Sequence, residues 1–183
     1  MKKGVFIFSA PSGSGKTTIL KPIVERMKDK FSFSISATTR PAREGEKDGV
    51  DYYFITPEKM REHIEKGDFI EWEEVYQGKY YGTFKSGLDR IWNQGKFVIF
   101  DIDVKGGVNI KKILQQQACS IFIMPPSIEE LEKRLRNRNT ESEETLKERL
   151  SRAKMEISLS ENFDYVVCND DLNTAIARVE EII

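Results

Sequence analysis

Strand, loop and helix signals follow one another without a break at the start of this sequence. Val5-Phe6-Ile7-Phe8-Ser9 is apolar and aromatic like a buried strand. Ala10-Pro11-Ser12-Gly13-Ser14-Gly15-Lys16-Thr17-Thr18 is rich in Gly and Ser, and Ile19-Leu20, Ile23-Val24 and Met27 then recur at helical spacing. A helix N-terminus carries free N–H groups and a partial positive charge, so a loop opening a helix here binds anions. Gly13 and Gly15 permit positive φ and close approach of the backbone to phosphate oxygens. Lys16 adds a full charge for β- and γ-phosphates, and Thr17 a hydroxyl for Mg²⁺. Such a phosphate-binding loop ordinarily begins with Gly, where this chain has Ala10. The turn tolerates that Cβ if its φ is negative. A ligand-free Gly/Ser turn is the plain alternative, but strand, loop and helix all fall where phosphate binding requires them.

The bulk numbers bound what else the chain does. Its 183 residues make one domain, with or without embedded lobes, and 39% hydrophobic content with 11 Phe supplies a core. Charged residues reach 32% but cancel to a net −1, which argues against binding a nucleic-acid polymer. No apolar run approaches a membrane span, and the N-terminus has no signal-peptide apolar region, so neither membrane insertion nor export is expected. Cys119 and Cys168, the two cysteines, sit in strand-like runs and are expected as buried core thiols in a reducing cytoplasm. The one histidine, His63, lies in a polar helical stretch and is expected at the surface. Neither a zinc site nor a Ser-His-Asp triad is supported by this inventory.

Strand and helix patterns alternate, which predicts an α/β fold with a mainly parallel sheet. Strands are expected at Gly4–Ser9, Phe33–Ala37, Phe97–Asp101, Ser120–Met124 and Tyr165–Cys168. Helices are expected at Lys16–Asp29, Lys85–Gln94, Lys105–Gln117, Ile128–Asn137, Glu141–Leu159 and Leu172–Ile182. Ser127-Ile128-Glu129-Glu130 and Thr140-Glu141-Ser142-Glu143 read as capping boxes. Thr56-Pro57 opens a short helix over Glu58–Lys66. Two segments interrupt the rhythm. Residues 38 to about 82, rich in Arg, Glu, Tyr and Trp, read as short strands (Tyr52–Ile55, Phe69–Val75) with turns. Arg134 to Met155 reads as a charge-dense helical hairpin broken at Asn137-Arg138-Asn139.

Several constellations could carry chemistry. Asp101-Ile102-Asp103 ends a core strand, where a carboxylate can hold Mg²⁺ or its waters, and Gly106-Gly107 beyond it would let a ligand approach. Asp is also ordinary turn chemistry there. Arg40 and Arg43 could fork around one phosphate, with Tyr52 and Tyr81 as hydroxyl donors. A solvated basic turn balanced by Glu44 and Glu46 fits the same residues. Glu71, between Ile70 and Trp72, could accept the N1–H and N2–H₂ of guanine, an edge adenine lacks. A surface Glu fits the residue type as well. Arg134, Arg136, Arg138, Arg149 and Arg152 would suit phosphoryl transfer, in which charge spreads over equatorial oxygens. The interleaved Glu residues equally describe a salt-bridged helix face.

Taken together, these residues resemble guanylate kinases over essentially the whole chain. The resemblance rests on Ser9–Thr17, Thr38–Glu46 (Thr-Thr-Arg-Pro-Ala-Arg-Glu-Gly-Glu), Gly49–Phe54, Phe69–Trp72 (Phe-Ile-Glu-Trp), Tyr80–Thr83, Asp101–Gly106 (Asp-Ile-Asp-Val-Lys-Gly), Pro125–Ser127 and Asn169–Leu172. Ala at the first loop position is a familiar variant there. The resemblance implies a three-layer P-loop NTPase fold with a mainly parallel five-stranded core sheet, an inserted GMP-binding lobe of short strands and a helical lid. As one domain over 1–183, its core would comprise 1–37, 83–125 and 160–183, its lobe 38–82 and its lid about 126–159.

The implied reaction, part of purine nucleotide metabolism, is ATP + GMP → ADP + GDP, with dGMP as a further acceptor, MgATP as donor and a cytoplasmic monomer or homodimer as catalyst. Ala10, Pro11, Ser12, Gly13, Ser14, Gly15, Lys16, Thr17 and Thr18 would hold ATP, with Arg134 supporting that side and Asn169 near the adenine. Ser36, Glu71, Thr83 and Asp103 would line the guanine pocket, and Arg40, Arg43, Tyr52 and Tyr81 would hold the GMP phosphate. Lys16, Arg40, Arg138 and Arg149 would be catalytic. Thr17 and, through water, Asp101 would serve Mg²⁺. The same likeness admits two rivals. One is a catalytically inactive guanylate-kinase-like module binding phosphopeptides, against which the intact Gly15-Lys16-Thr17 speaks. The other is a kinase of the same fold acting on another phosphorylated acceptor.

Overall fold

The computed structural model describes residues 4–137 and 143–183. Nine strands and seven α-helices run along them in the order β1 (Val5–Ser9), α1 (Lys16–Arg26), β2 (Phe31–Phe33), β3 (Ala37–Thr38), β4 (Tyr53–Phe54), α2 (Pro57–Glu65), β5 (Phe69–Tyr76), β6 (Lys79–Phe84) and α3 (Lys85–Asn93), then β7 (Phe97–Asp101), α4 (Val104–Leu114), β8 (Ala118–Met124), α5 (Ile128–Arg136), α6 (Glu143–Ser158), β9 (Tyr165–Cys168) and α7 (Leu172–Ile182). Five strands form one sheet in the order β2-β7-β1-β8-β9, every pair parallel. A second, four-stranded sheet has the order β4-β3-β6-β5 and mixes parallel and antiparallel pairs. No helix among the described residues is long and apolar enough to cross a membrane.

The two-residue period of β1 builds the three layers. Phe8 points to one face of the five-stranded sheet and joins Ile19, Leu20 and Ile23 of α1 and Ala175 and Val179 of α7. Val5 and Ile7 point to the other face and join Leu88 and Ile91 of α3 and Ile110 of α4. Parallel sheets need both faces covered, which is why β1, β7 and β8 are apolar on both sides. The second sheet buries Ala37 and Phe69 against Met60 of α2.

Most expected elements are present with shifted ends, and a few are not. The apolar run read as one strand over Phe33–Ala37 is divided between the two sheets. Ser34 N–H still reaches Ile99 O at 2.8 Å at the end of β2, and the chain then crosses to pair Ala37 with Gly82. Strand β6 carries no apolar run and is made by its pairing with β5. Helix α1 stops at Arg26, because a turn from Met27 O to Lys30 N–H (2.9 Å) delivers Phe31 to β2. Helix α4 stops at Leu114, where Gln115 takes a φ of 48°. Ser127 caps α5 as expected, accepting from Glu130 N–H at 3.1 Å, while the second capping box begins outside the described residues.

The expectations for His63 and the cysteines need correction. His63 is half-buried, its ring set edge-on to Phe84 at 5.0 Å and its Nδ1 2.8 Å from Asp68 Oδ2. Cys119 is half-buried, and Cys168 is exposed, on the face of edge strand β9 opposite the buried Val167.

Phe100 lies in β7 and is 1% exposed. Phe100→Ala should lower the unfolding free energy by about 3–5 kcal/mol. Urea denaturation followed by circular dichroism measures this, and a loss below about 1 kcal/mol would show that the layer collapses around the cavity.

Candidate active site

The parallel pairing of β1 with β7 sets Phe8 beside Asp101. The loop after β1 and the segment Asp101-Ile102-Asp103 after β7 therefore leave the sheet side by side. Gly13 and Gly15 adopt φ values of 93° and 89°, as the loop's curvature requires. Gln115 is the only non-glycine with positive φ among the described residues, so Ala10 is unstrained. Gly15 caps α1 without a side-chain hydrogen bond, leaving the helix N-terminus to backbone N–H groups. Lys16 Nζ lies 2.6 Å from Asp101 Oδ1 and donates to Ile102 O at 2.7 Å. The lysine thus spans the gap between the two strand ends. Ser14 Oγ is buried and has no hydrogen-bond partner.

Asp103 belongs to both sides of the site. Its Oδ1 caps α4, accepting from Lys105 N–H at 3.0 Å and Gly106 N–H at 3.1 Å, and its carbonyl accepts from Ser9 Oγ at 3.1 Å. Gly106 and Gly107 lie in close packing against Ile102 and Ser9. A Cβ on Gly107 would come within 2.3 Å of Ser9 Oγ, and one on Gly106 within 2.8 Å of Ile102 Cδ1.

Cross-strand register places Glu71 opposite Thr83. Such a pair shares one face of the sheet, and Thr83 Oγ1 donates to Glu71 Oε1 at 2.9 Å. Glu71 is only 8% exposed, and Thr83 fully buried. Burial raises the Glu71 carboxyl to about 7, the Thr83 hydrogen bond partly opposing it and the negative charges of Asp103 and Glu73 adding to it. Burial raises Glu73 too, and its Oε2 has no partner, while its Oε1 lies 3.7 Å from Lys105 Nζ.

Arg40 is 8% exposed, with its guanidinium over the Tyr52 ring at 4.9 Å. Glu46 takes it bidentately, with two bonds of 2.6 Å, and Pro41 O takes a third at 2.9 Å. Tyr81 lies within hydrogen-bonding reach, its ring edge-on to Tyr52 at 5.9 Å. The Glu46 bond lifts the Arg40 pKa further above its ordinary value and pulls Glu46 down to about 2. The sequence showed Glu46 only as a balancing charge. Gly45, at φ 86°, is the signal that brings it back onto Arg40. Arg43 donates its N–H to the same carboxylate at 2.7 Å, its side chain exposed. Ser36 lies between β2 and β3 and accepts Tyr53 N–H at its carbonyl.

Helices α5 and α6 bring arginines to the loop. Arg149 Nη1 donates to Ser12 Oγ at 2.9 Å. Arg134 bonds to Asn169 O at 3.2 Å and to Glu130 Oε1 at 3.3 Å, and Asn169 Nδ2 donates to Ser14 O at 2.7 Å. Arg152, a residue the pattern left on a helix face, reaches Val75 O of β5 at 2.9 Å and Glu156 at 2.7 Å. Arg138 lies outside the described residues.

A parallel sheet whose central strand turns through a Gly-Ser-Gly-Lys-Thr loop into a helix, with an acidic residue closing the neighbouring strand, defines a P-loop fold. The guanylate kinase family model matches residues 2–183. The chain is 48% identical to the guanylate kinase of Bacteroides thetaiotaomicron, covering 98% of this chain and 87% of that one. It is 47% identical to that of Porphyromonas gingivalis, covering 98% and 95%. The crystal structure of guanylate kinase from Anaplasma phagocytophilum matches with a TM-score of 0.76 and 33% identity, over 100% of this chain and 85% of that one. This chain belongs to the guanylate kinase family.

The raised Glu71 carboxyl makes stability depend on pH. Between its ordinary value of 4.5 and about 7, the folded protein holds a proton that the unfolded chain has lost. The Glu71 contribution is therefore full below pH 4.5 and lost as pH rises through about 7, a change of about 3 kcal/mol. Glu71→Gln should remove it, so that the variant gains on the wild-type protein by that amount between pH 4.5 and about pH 8. Urea denaturation across this range tests it, and a constant difference would show that Glu71 is not perturbed.

Proposed function

We propose that this chain transfers the γ-phosphoryl group of ATP to GMP, and to dGMP, giving ADP and GDP. The observation that carries this reading is the short segment Asp101-Ile102-Asp103. Its first two residues hold Lys16 of the phosphate loop, and its third sets its charge against the buried Glu71. Contacts from one strand end to both groups support a triphosphate site lying beside a site for N–H donors.

The acceptor half follows from residue chemistry. An ionised Glu71 accepts N1–H and N2–H₂ of guanine, the Thr83 hydroxyl can turn to the base carbonyl, and Ser36 and Asp103 complete the pocket. Arg40, Arg43, Tyr52 and Tyr81 take the GMP phosphate, with Glu46 fixing the direction of the Arg40 guanidinium. On the donor half, residues 10–18 cradle ATP, with Arg134 and Asn169 beside the loop. In the transfer, a GMP phosphate oxygen attacks the γ-phosphorus in line. A new O–P bond forms, the bond to the β,γ-bridging oxygen breaks, and ADP leaves with its electron pair. Lys16 and the arginines Arg138 and Arg149 take up charge on the equatorial oxygens, and no covalent enzyme intermediate is needed. The division into core, GMP lobe and helical lid accords with this chemistry, because a lid that closes over both nucleotides excludes water and prevents wasteful hydrolysis. A cytoplasmic location goes with this reading.

Magnesium enters with ATP. The donors beside Lys16, the Thr17 hydroxyl and the Asp101 carboxylate, are hard oxygen ligands. No group of three His, Cys, Asp or Glu among the described residues could hold a metal. Such a sparse oxygen set fits a Mg²⁺ that keeps its waters and shares phosphate oxygens. Thr17, and Asp101 through water, would hold it, and it would neutralise charge on the triphosphate.

A coupled ADP-release assay with GMP, dGMP, AMP, CMP and UMP tests the reading. GMP and dGMP should be accepted, and AMP disfavoured by about 10⁴, as a site built to bond N–H groups rejects a base that lacks them. Lys16→Ala and Arg138→Ala should each lower turnover by about 10³ or more. Comparable rates with AMP would overturn Glu71 as the reader of the base, and near-normal turnover of Lys16→Ala would overturn the kinase reading itself.

A further inference from the structure

Asn169 is fixed by its backbone before its side chain makes any contact. It follows β9, its N–H donates to Met124 O at 2.8 Å, and its carbonyl accepts from Arg134 at 3.2 Å. The side chain is buried, the residue being 6% exposed, and its Nδ2 donates to Ser14 O at 2.7 Å across 155 positions of sequence. Gly15 carries the imprint of this contact. A Cβ there would sit 2.3 Å from Asn169 Nδ2, so the residue after Ser14 must be glycine for space as well as for its φ of 89°.

The bonded carbonyl belongs to the peptide that joins Ser14 to Gly15. In a trans peptide the C=O and the N–H point in opposite directions. Holding Ser14 O against Asn169 therefore aims the Gly15 N–H away from Asn169. That N–H stands at the entrance of α1, among the groups a phosphate loop presents to anions. We propose that Asn169 is a positioning residue for the phosphate loop, clamping the Ser14–Gly15 peptide through its amide N–H, and that it does not select the base of the donor nucleotide. This rests on the reading that the loop holds the triphosphate of ATP. It has a stated consequence: loss of the amide weakens every nucleoside triphosphate alike.

Two measurements on Asn169→Ala and Asn169→Leu test the clamp. The first is amide hydrogen exchange of the ligand-free protein. Exchange over residues 13–17 should quicken about tenfold, the scale of one lost hydrogen bond, while β1 and β7 keep their protection. The second compares ATP with inosine triphosphate, which lacks the 6-amino group, as donor to GMP. Both KM values should rise by one common factor of about 10 to 100. Unchanged exchange in the loop, or a rise in KM for ATP alone, would overturn the proposal. Loss of protection throughout the core in both variants would also overturn it, since Asn169 would then be a general element of the fold. If the wild-type protein passes no phosphoryl group from ATP to GMP, the proposed function fails, while loop exchange still decides the clamp.

Discussion

The register of β1 against β7 is the constraint from which the site follows. With Phe8 beside Asp101, the two strands end level, and everything their extensions carry is brought within reach. Lys16 closes the gap through Asp101 and Ile102 O. Asp103 then caps α4, and Ser9 at the end of β1 donates to its carbonyl, so the helix start is tied back to the neighbouring strand. A shift of one residue would move every β7 side chain to the opposite face. It would also separate the lysine from its carboxylate. That slip is blocked by the core, because Val98 and Phe100 pack with α3 while Ile99 packs with α1 and α7, and all three are almost fully buried.

On the proposed reading, the phosphate and the base of GMP would meet two different electrostatic surroundings. The Arg40 guanidinium favours an anion, holding the Glu46 carboxylate down to about 2, while burial raises the neighbouring Tyr52 hydroxyl. Around Glu71, Glu73 and Asp103 burial and like charge favour a proton or a donor N–H. GMP carries an anionic phosphate at one end and an N–H edge at the other. A buried carboxylate gains from a base that offers two N–H donors, because those hydrogen bonds offset the desolvation that raises it. Adenine, with an acceptor at N1, would leave the buried carboxylate facing a lone pair.

The parts legible in the sequence are those encoded locally. The loop glycines, the Ser127 and Thr56 caps and the span of α7 were all readable, because each is set by a few neighbouring residues. The run Phe33–Ala37 misled because its apolar alternation is continuous, while the chain changes sheets within it. Strand β6 was hidden because Tyr-Tyr-Gly-Thr has no burial pattern of its own and becomes a strand only opposite β5. Gly106-Gly107 looked like an approach for a ligand, yet its neighbours are Ile102 and Ser9, which no local pattern reveals. The membership of Glu71 and Thr83 in one site came from family resemblance. Only register supplies its physical cause.

The cations of the site also constrain how it can bind. Lys16 rests on Asp101, Arg40 on Glu46, Arg152 on Glu156 and Lys105 near Glu73. Without these partners, several partly buried positive charges would be left uncompensated, at a cost in stability. With them, each of these four cations is balanced by a carboxylate, and the chain as a whole carries a net −1. Long-range attraction of nucleotides is then weak, and screening within about 10 Å weakens it further. Affinity must come at contact, where a phosphate with several oxygens competes for donors already oriented by carboxylates. On the proposed reading, Glu46 and Asp101 would act as placeholders that keep Arg40 and Lys16 in the direction their phosphates need. The geometry is set before binding, and less conformational freedom remains to be lost when the nucleotides arrive.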